Sequence, residues 1–152
     1  AGEGGGNARV YSMCMGVMEE GGAIDDDTPA EALHELRISC KKLRYLMEFF
    51  QSLYPAGEIK GLIKSVKTLL DNLGDFQDLE VQANNLESMS DEMRRSRVNT
   101  HTLLAMGMLI NGLLLRQQEE RVRFGREFRK FGCKQNRKLF KGLFKPQVRS
   151  KA

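Results

Sequence analysis

The chain has 152 residues, 41% of them apolar, with three prolines and no tryptophan. That suits one domain with a real core and argues against many short strands. Its net charge of +4 hides an asymmetry: residues 1–93 hold 8 Lys+Arg against 17 Asp+Glu, residues 94–152 hold 16 against 3. Such a split points to polyanionic partners and says little about fold. The N-terminus lacks the basic flank and apolar run of a secretory signal, and the longest apolar stretch, 103–115, is too short to span a bilayer. Three distant cysteines without a CxxC pair suit buried thiols in a reducing compartment.

A first helix is expected from Asn7 to Glu20, ending at Gly21-Gly22, with the glycine-rich residues 1–6 as a flexible lead. After the acidic loop Asp25-Asp26-Asp27, Thr28 is the expected N-cap of a second helix, with Pro29 in its first turn and Glu31 at the capping-box position. This helix should reach Tyr54, before Pro55 and Gly57. A third is expected over 58–73, broken at Gly74, a fourth over 75–91, and a charged linker over 91–97. Residues 99–143 read as one long helix or two joined near Gly132, and 146–152 as a basic tail. The fold class is all-α, an antiparallel bundle of long helices occupying 7–145.

The second helix carries the clearest signal. At roughly 100° per residue, Leu36, Cys40, Leu43, Met47 and Phe50 share one core face, and Ile38, Tyr45 and Phe49 form a second apolar strip. Between them lie His34, Arg37, Lys41 and Arg44, with Glu48 one turn beyond Arg44; Lys42 points away. Stacked like charges repel, and two apolar borders predict a groove wall with both borders packed. An external anion would relieve the cations, and phosphate suits the arginine fork. The competing reading pairs Arg37 and Arg44 with Asp71, Asp75 or Asp78 and makes the ladder structural. In the third helix Lys60, Lys64 and Lys67 recur on one face.

Toward the C-terminus, Arg116, Arg123, Lys130 and Arg137 repeat every seven residues, with Lys134 and Lys141 on the same side and Arg126 nearby. Phe124, Phe128 and Phe131 have the period of a buried stripe rather than of base-stacking platforms. Glu119, Glu120 and Glu127 are too few to neutralise these cations, so a phosphate chain, a nucleic-acid backbone or an acidic membrane face is the expected partner. No Walker, GxGxxG or HExxH motif occurs, and His34 and His101 lack ligand spacing. Asp71, Asp75 and Asp78 favour pairing or capping over Mg²⁺. No cofactor, metal or catalytic residue is expected.

The segments LHELRISCKKLRYLMEFF (33–50) and KSVKTLLDNLGDFQDLEV (64–81) resemble the CHAD domain, the conserved histidine α-helical domain. The first has the histidine, the arginine three on, the basic pair and the LRY-type end; the second has Leu73-Gly74 followed by Asp78. Weaker similarity continues through Gly112 and VRFGREFRKFG. The resemblance implies a noncatalytic helical module whose basic surface, here His34, Arg37, Lys41, Lys42 and Arg44, binds inorganic polyphosphate. It also implies a cytoplasmic protein associated with polyphosphate granules. The family has two related units, and this chain is similar to the second. The missing unit would leave a half-sized surface, or two copies would pair through the Ile38, Tyr45, Phe49 strip as a homodimer. A nucleic-acid-binding module and a structural bundle with internally paired charges are the alternatives.

Overall fold

The computed structural model describes residues 2–147, with side chains from residue 5 onward. Five α-helices follow one another, with no strand among the described residues: α1 Gly2–Gly22, α2 Ala30–Phe50, α3 Ala56–Arg95, α4 Thr100–Phe131 and α5 Lys134–Phe144. A short 3₁₀ turn, Gln51–Leu53, closes α2. The chain is an all-helical bundle. The tail expected over 146–152 lies outside the described residues from 148 on.

Apolar periodicity builds the core. Val10, Cys14 and Val17 of α1 meet Leu33, Leu36, Cys40, Leu43 and Met47 of α2, which in turn pack on Ile59 through Phe76 of α3. Each fully buried Leu or Phe contributes roughly 1.5–3 kcal/mol. Burial pushes the Cys14 and Cys40 thiols up to about 12, so both stay protonated and act as small apolar groups. Phe124, Phe128, Phe131 and Phe140 form a chain of rings with centroids 5.4–6.3 Å apart, and Phe144 meets Tyr54 edge-on at 4.9 Å. The phenylalanine stripe is therefore core, as its period predicts. Gly21 is required here: a Cβ would come within 2.2 Å of the Phe128 ring.

Several boundaries differ from the sequence expectation. α1 begins at Gly2, and the buried Gly6 lies against Phe50, where a Cβ would meet the ring at 3.1 Å. Thr28 does not cap α2. Its hydroxyl instead accepts from the Asp25 N–H at 2.9 Å and closes the acidic loop, leaving Pro29 at the N-cap. Gly74 does not break α3. Leu73 and Phe76 are buried on either side of it, and that burial outweighs the roughly 1 kcal/mol helix penalty of one glycine. The expected linker over 91–97 is helical to Arg95. The chain reverses over 96–99, where Arg97 takes a φ of 57° and Asn99 caps α4 by accepting from the Thr102 N–H at 2.9 Å. Gly132 does separate α4 from α5, with Cys133 as the N-cap of α5.

Lengths position the site. At 1.5 Å per residue α3 spans about 60 Å and α2 only about 30 Å. The two run antiparallel, His34 facing Glu80 and Glu48 facing Lys67, so α2 leaves the C-terminal part of α3 uncovered. Buried Asn72 joins α3 to α4 by donating to the Glu120 carbonyl and carboxylate at 3.0 and 2.9 Å.

Candidate functional site

The seam between α2 and α3 holds the cation ladder in sequence order. At one end the His34 imidazole donates to the Glu80 carboxylate beside the Phe76 ring. One turn on, Arg37 Nη1 donates to Gln77 Oε1 at 3.0 Å. Its Nε is buried without a hydrogen bond and lies above Gly74, 3.7 Å from where a Cβ would stand. Lys41 follows, half-buried and making no ion pair with any described residue. Arg44 Nε then donates to Glu48 at 3.0 Å, and Lys67 Nζ approaches the same carboxylate oxygen at 4.0 Å.

Past Arg44 the seam widens into a cleft of about 420 Å³ lined by Glu48, Gln51, Lys60, Ile63, Lys64 and Lys67. The i, i+4, i+7 spacing of the three lysines places them on one face of α3, turned toward the end of α2. Among the described residues, Glu48 is the one carboxylate lining it. Lys64 also lines a second cleft of about 310 Å³ between α3 and α4, with Gly61, Ser65, Thr68, Glu127, Lys130 and Phe131. The side chain of Lys64 thus belongs to both clefts. Lys130 is paired only with Glu127, at 3.5 Å, and is 76% exposed.

The basic residues farther along α4 are placed differently. Arg123 reaches Glu120 at 3.1 Å and Asp75 at 3.4 Å. Arg116 shares a cleft with Asp75, Asp78, Glu119 and Glu120. Arg126 lines another with Asp25, Asp26, Arg121 and Arg129. Carboxylates from α3 and from the acidic loop therefore supplement the three glutamates of α4, which a count along that helix alone leaves out. Lys134, Arg137 and Lys141 lie exposed on α5, and Arg137 Nε donates to the Gly132 carbonyl at 2.7 Å. Lys42 is exposed beside Ile38 and Tyr45, away from the seam.

Two expectations are overturned. Asp71, Asp75 and Asp78 form no ion pair with Arg37 or Arg44; Asp75 turns to Arg123 instead. The ladder also has only one packed border. Ile38, Tyr45 and Phe49 are 54%, 60% and 79% exposed, because α1 and α3 flank α2 and leave that strip outward.

Sequence reasoning misses Arg121 and Gln77. Arg121 donates to the Asp25 carbonyl at 3.0 Å, and its guanidinium lies 5.3 Å from the centroid of Phe76, the ring beside His34. The acidic triad Asp25-Asp26-Asp27 is the sequence signal that could have pointed to arginine partners. The Asp25 carboxyl is held below its usual range, first by the Asp27 N–H and then by the Thr28 hydroxyl.

Among the described residues no group of three or more His, Cys, Asp or Glu is placed to hold a metal ion, and no helix is long and apolar enough to cross a membrane. The arrangement presents hydrogen-bonded arginines inside the seam and exposed lysines at its open end, a combination that suits several phosphates in a row. A comparison with curated proteins gives no match. Residues 13–87, which span the C-terminal half of α1, all of α2 and the lysine-bearing part of α3, match the family model of the CHAD domain.

Proposed function

We propose that this protein binds inorganic polyphosphate, without catalysing a reaction on it, along the α2–α3 seam and across α3 toward α4. The observation that carries this reading is the excess of cations along the ladder and at the open end of the seam. Lys41, Lys60 and Lys64 make no ion pair with any described residue, and Arg44 and Lys67 share the single carboxylate of Glu48. The match of residues 13–87 to the CHAD domain, a family associated with polyphosphate binding, supports the same ligand class.

The track runs from Arg37 and Lys41 through Arg44, Lys67 and Lys60 to Lys64 and Lys130. Contact rests on phosphate charge, so affinity falls steeply with salt. His34 and Arg37 fix the inner end, and the lysines adapt to a flexible chain. Arg116, Arg123, Arg126, Lys134, Arg137 and Lys141 extend the positive field and sit outside the track, as does Lys42. The reading implies a cytoplasmic protein that accompanies polyphosphate granules.

Calorimetric titration with long-chain polyphosphate tests the assignment. Arg37→Ala/Arg44→Ala, checked for folding by circular dichroism, is expected to bind more weakly and with a shallower salt dependence; unchanged affinity across the salt series contradicts the site. Competition with single-stranded DNA separates ligands, since a nucleic-acid module releases polyphosphate at comparable concentrations. Phosphate release over time with Mg²⁺ present would overturn the noncatalytic part.

A further inference from the structure

The outward face of α2 has no role in the seam. Glu31, Glu35, Ile38, Lys42, Tyr45 and Phe49 fall within about 80° of one another around the helix and are all exposed. Three large apolar side chains in one line are more than scattered surface hydrophobics. The charges on this face are ordered: acids stand at the N-terminal end, Lys42 toward the C-terminal end. Beside that C-terminal end, Arg9 of α1 lines a shallow, mostly apolar dent with Leu46 and Met13. Glu31, Glu35, Lys42 and Arg9 make no ion pair with any described residue.

We infer that this face is a dimer interface between two copies of the chain, joined by antiparallel α2 helices about a two-fold axis. The order along α2 is Glu31, Glu35, Ile38, Lys42, Tyr45 and Phe49, so the acids before Ile38 and the base after it complement one another only when the strip is reversed. Antiparallel pairing centred near Ile38 sets Glu35 against Lys42 of the second copy and Glu31 toward its Arg9, and the two-fold repeats the contact. Parallel pairing instead sets Lys42 against its own copy. Ile38 lies at the centre of this pairing, and Tyr45 and Phe49 of each copy flank it as aromatic anchors.

The symmetry has a consequence for the seam. A two-fold that reverses the helix direction and exchanges the two copies leaves each helix flank on its original side. Both ladders, each beginning at the edge of this strip, therefore open on the same side of the dimer. Resting on the polyphosphate reading, the track of one copy continues beside that of the other, and a chain long enough to cross both binds with an avidity gain.

The interface is tested by mass in solution, without any polyanion, so its failure is separate from failure of the ligand assignment. Sedimentation at micromolar concentration is expected to give twice the 17.2 kDa protomer mass. Glu31→Lys/Glu35→Lys and Arg9→Glu/Lys42→Glu should each be monomeric alone, their dimerisation weakened by about tenfold or more. Mixed in equal amounts, the two variants should form a heterodimer, because an all-basic strip then faces an all-acidic one. That rescue also shows that both variants fold. A monomeric wild type, or a dimer indifferent to both charge reversals, overturns the proposal, as does a mixture that stays monomeric.

Discussion

Two basic regions look alike in the sequence and differ in the fold. Lys60, Lys64 and Lys67 of α3 face a cleft whose one carboxylate is already shared with Arg44. Arg116 and Arg123 of α4, set at the same helical period, meet Asp75, Asp78, Glu119 and Glu120. The first region has cations to spare; the second is largely balanced. Period and count therefore measure how much charge a helix carries, while its neighbours decide how much of that charge a ligand can use.

Lys64, which belongs to both clefts, gives this contrast its hardest test. Lys64→Glu should weaken polyphosphate binding by about tenfold to a hundredfold, the loss of a charge-assisted contact plus new repulsion, as read by calorimetry. An effect under about twofold would remove the lysine cleft from the track. Glu48→Gln should act oppositely and more modestly. It deletes the carboxylate that competes with phosphate for Arg44 and Lys67, so affinity should rise roughly fivefold at low salt.

Arg123→Gln probes the balanced region. Its guanidinium is partly exposed, so breaking its two ion pairs should cost only about 0.5–1 kcal/mol in urea denaturation, with polyphosphate affinity nearly unchanged. A large affinity loss would mean that the paired arginines bind ligand after all. The smallest effect is expected at Gly74. A Cβ there makes only ordinary contact with Arg37, so Gly74→Ala should raise the stability of α3 by about 0.5 kcal/mol and leave Arg37 in place.

Much of this was legible one helix at a time. The wheel of α2 separates Leu36, Cys40, Leu43 and Met47, all buried, from the flank bearing His34, Arg37, Lys41 and Arg44. The phenylalanines of α4 and α5 declare themselves core by their spacing. What failed needed a neighbour. Gly74 reads as a breaker until burial of Leu73 and Phe76 on both sides is known. Thr28 has the chemistry of a cap, yet Asp25 competes for its hydroxyl. The Ile38, Tyr45, Phe49 strip has the composition of a packed border, and only the positions of α1 and α3 show it open. Pairing of Arg123 with Asp75 joins residues 48 apart and leaves no local trace.

In the proposed track the under-neutralised lysines of α3, rather than total positive charge, hold the ligand. The salt dependence of polyphosphate affinity separates these most directly, comparing wild type with Lys60→Gln/Lys64→Gln/Lys67→Gln and with Arg116→Gln/Arg123→Gln. The lysine variant should lose about two units of the log–log slope, at roughly 0.7 per neutralised phosphate, and the arginine variant should keep the wild-type slope. Equal slopes for the two variants would contradict the account.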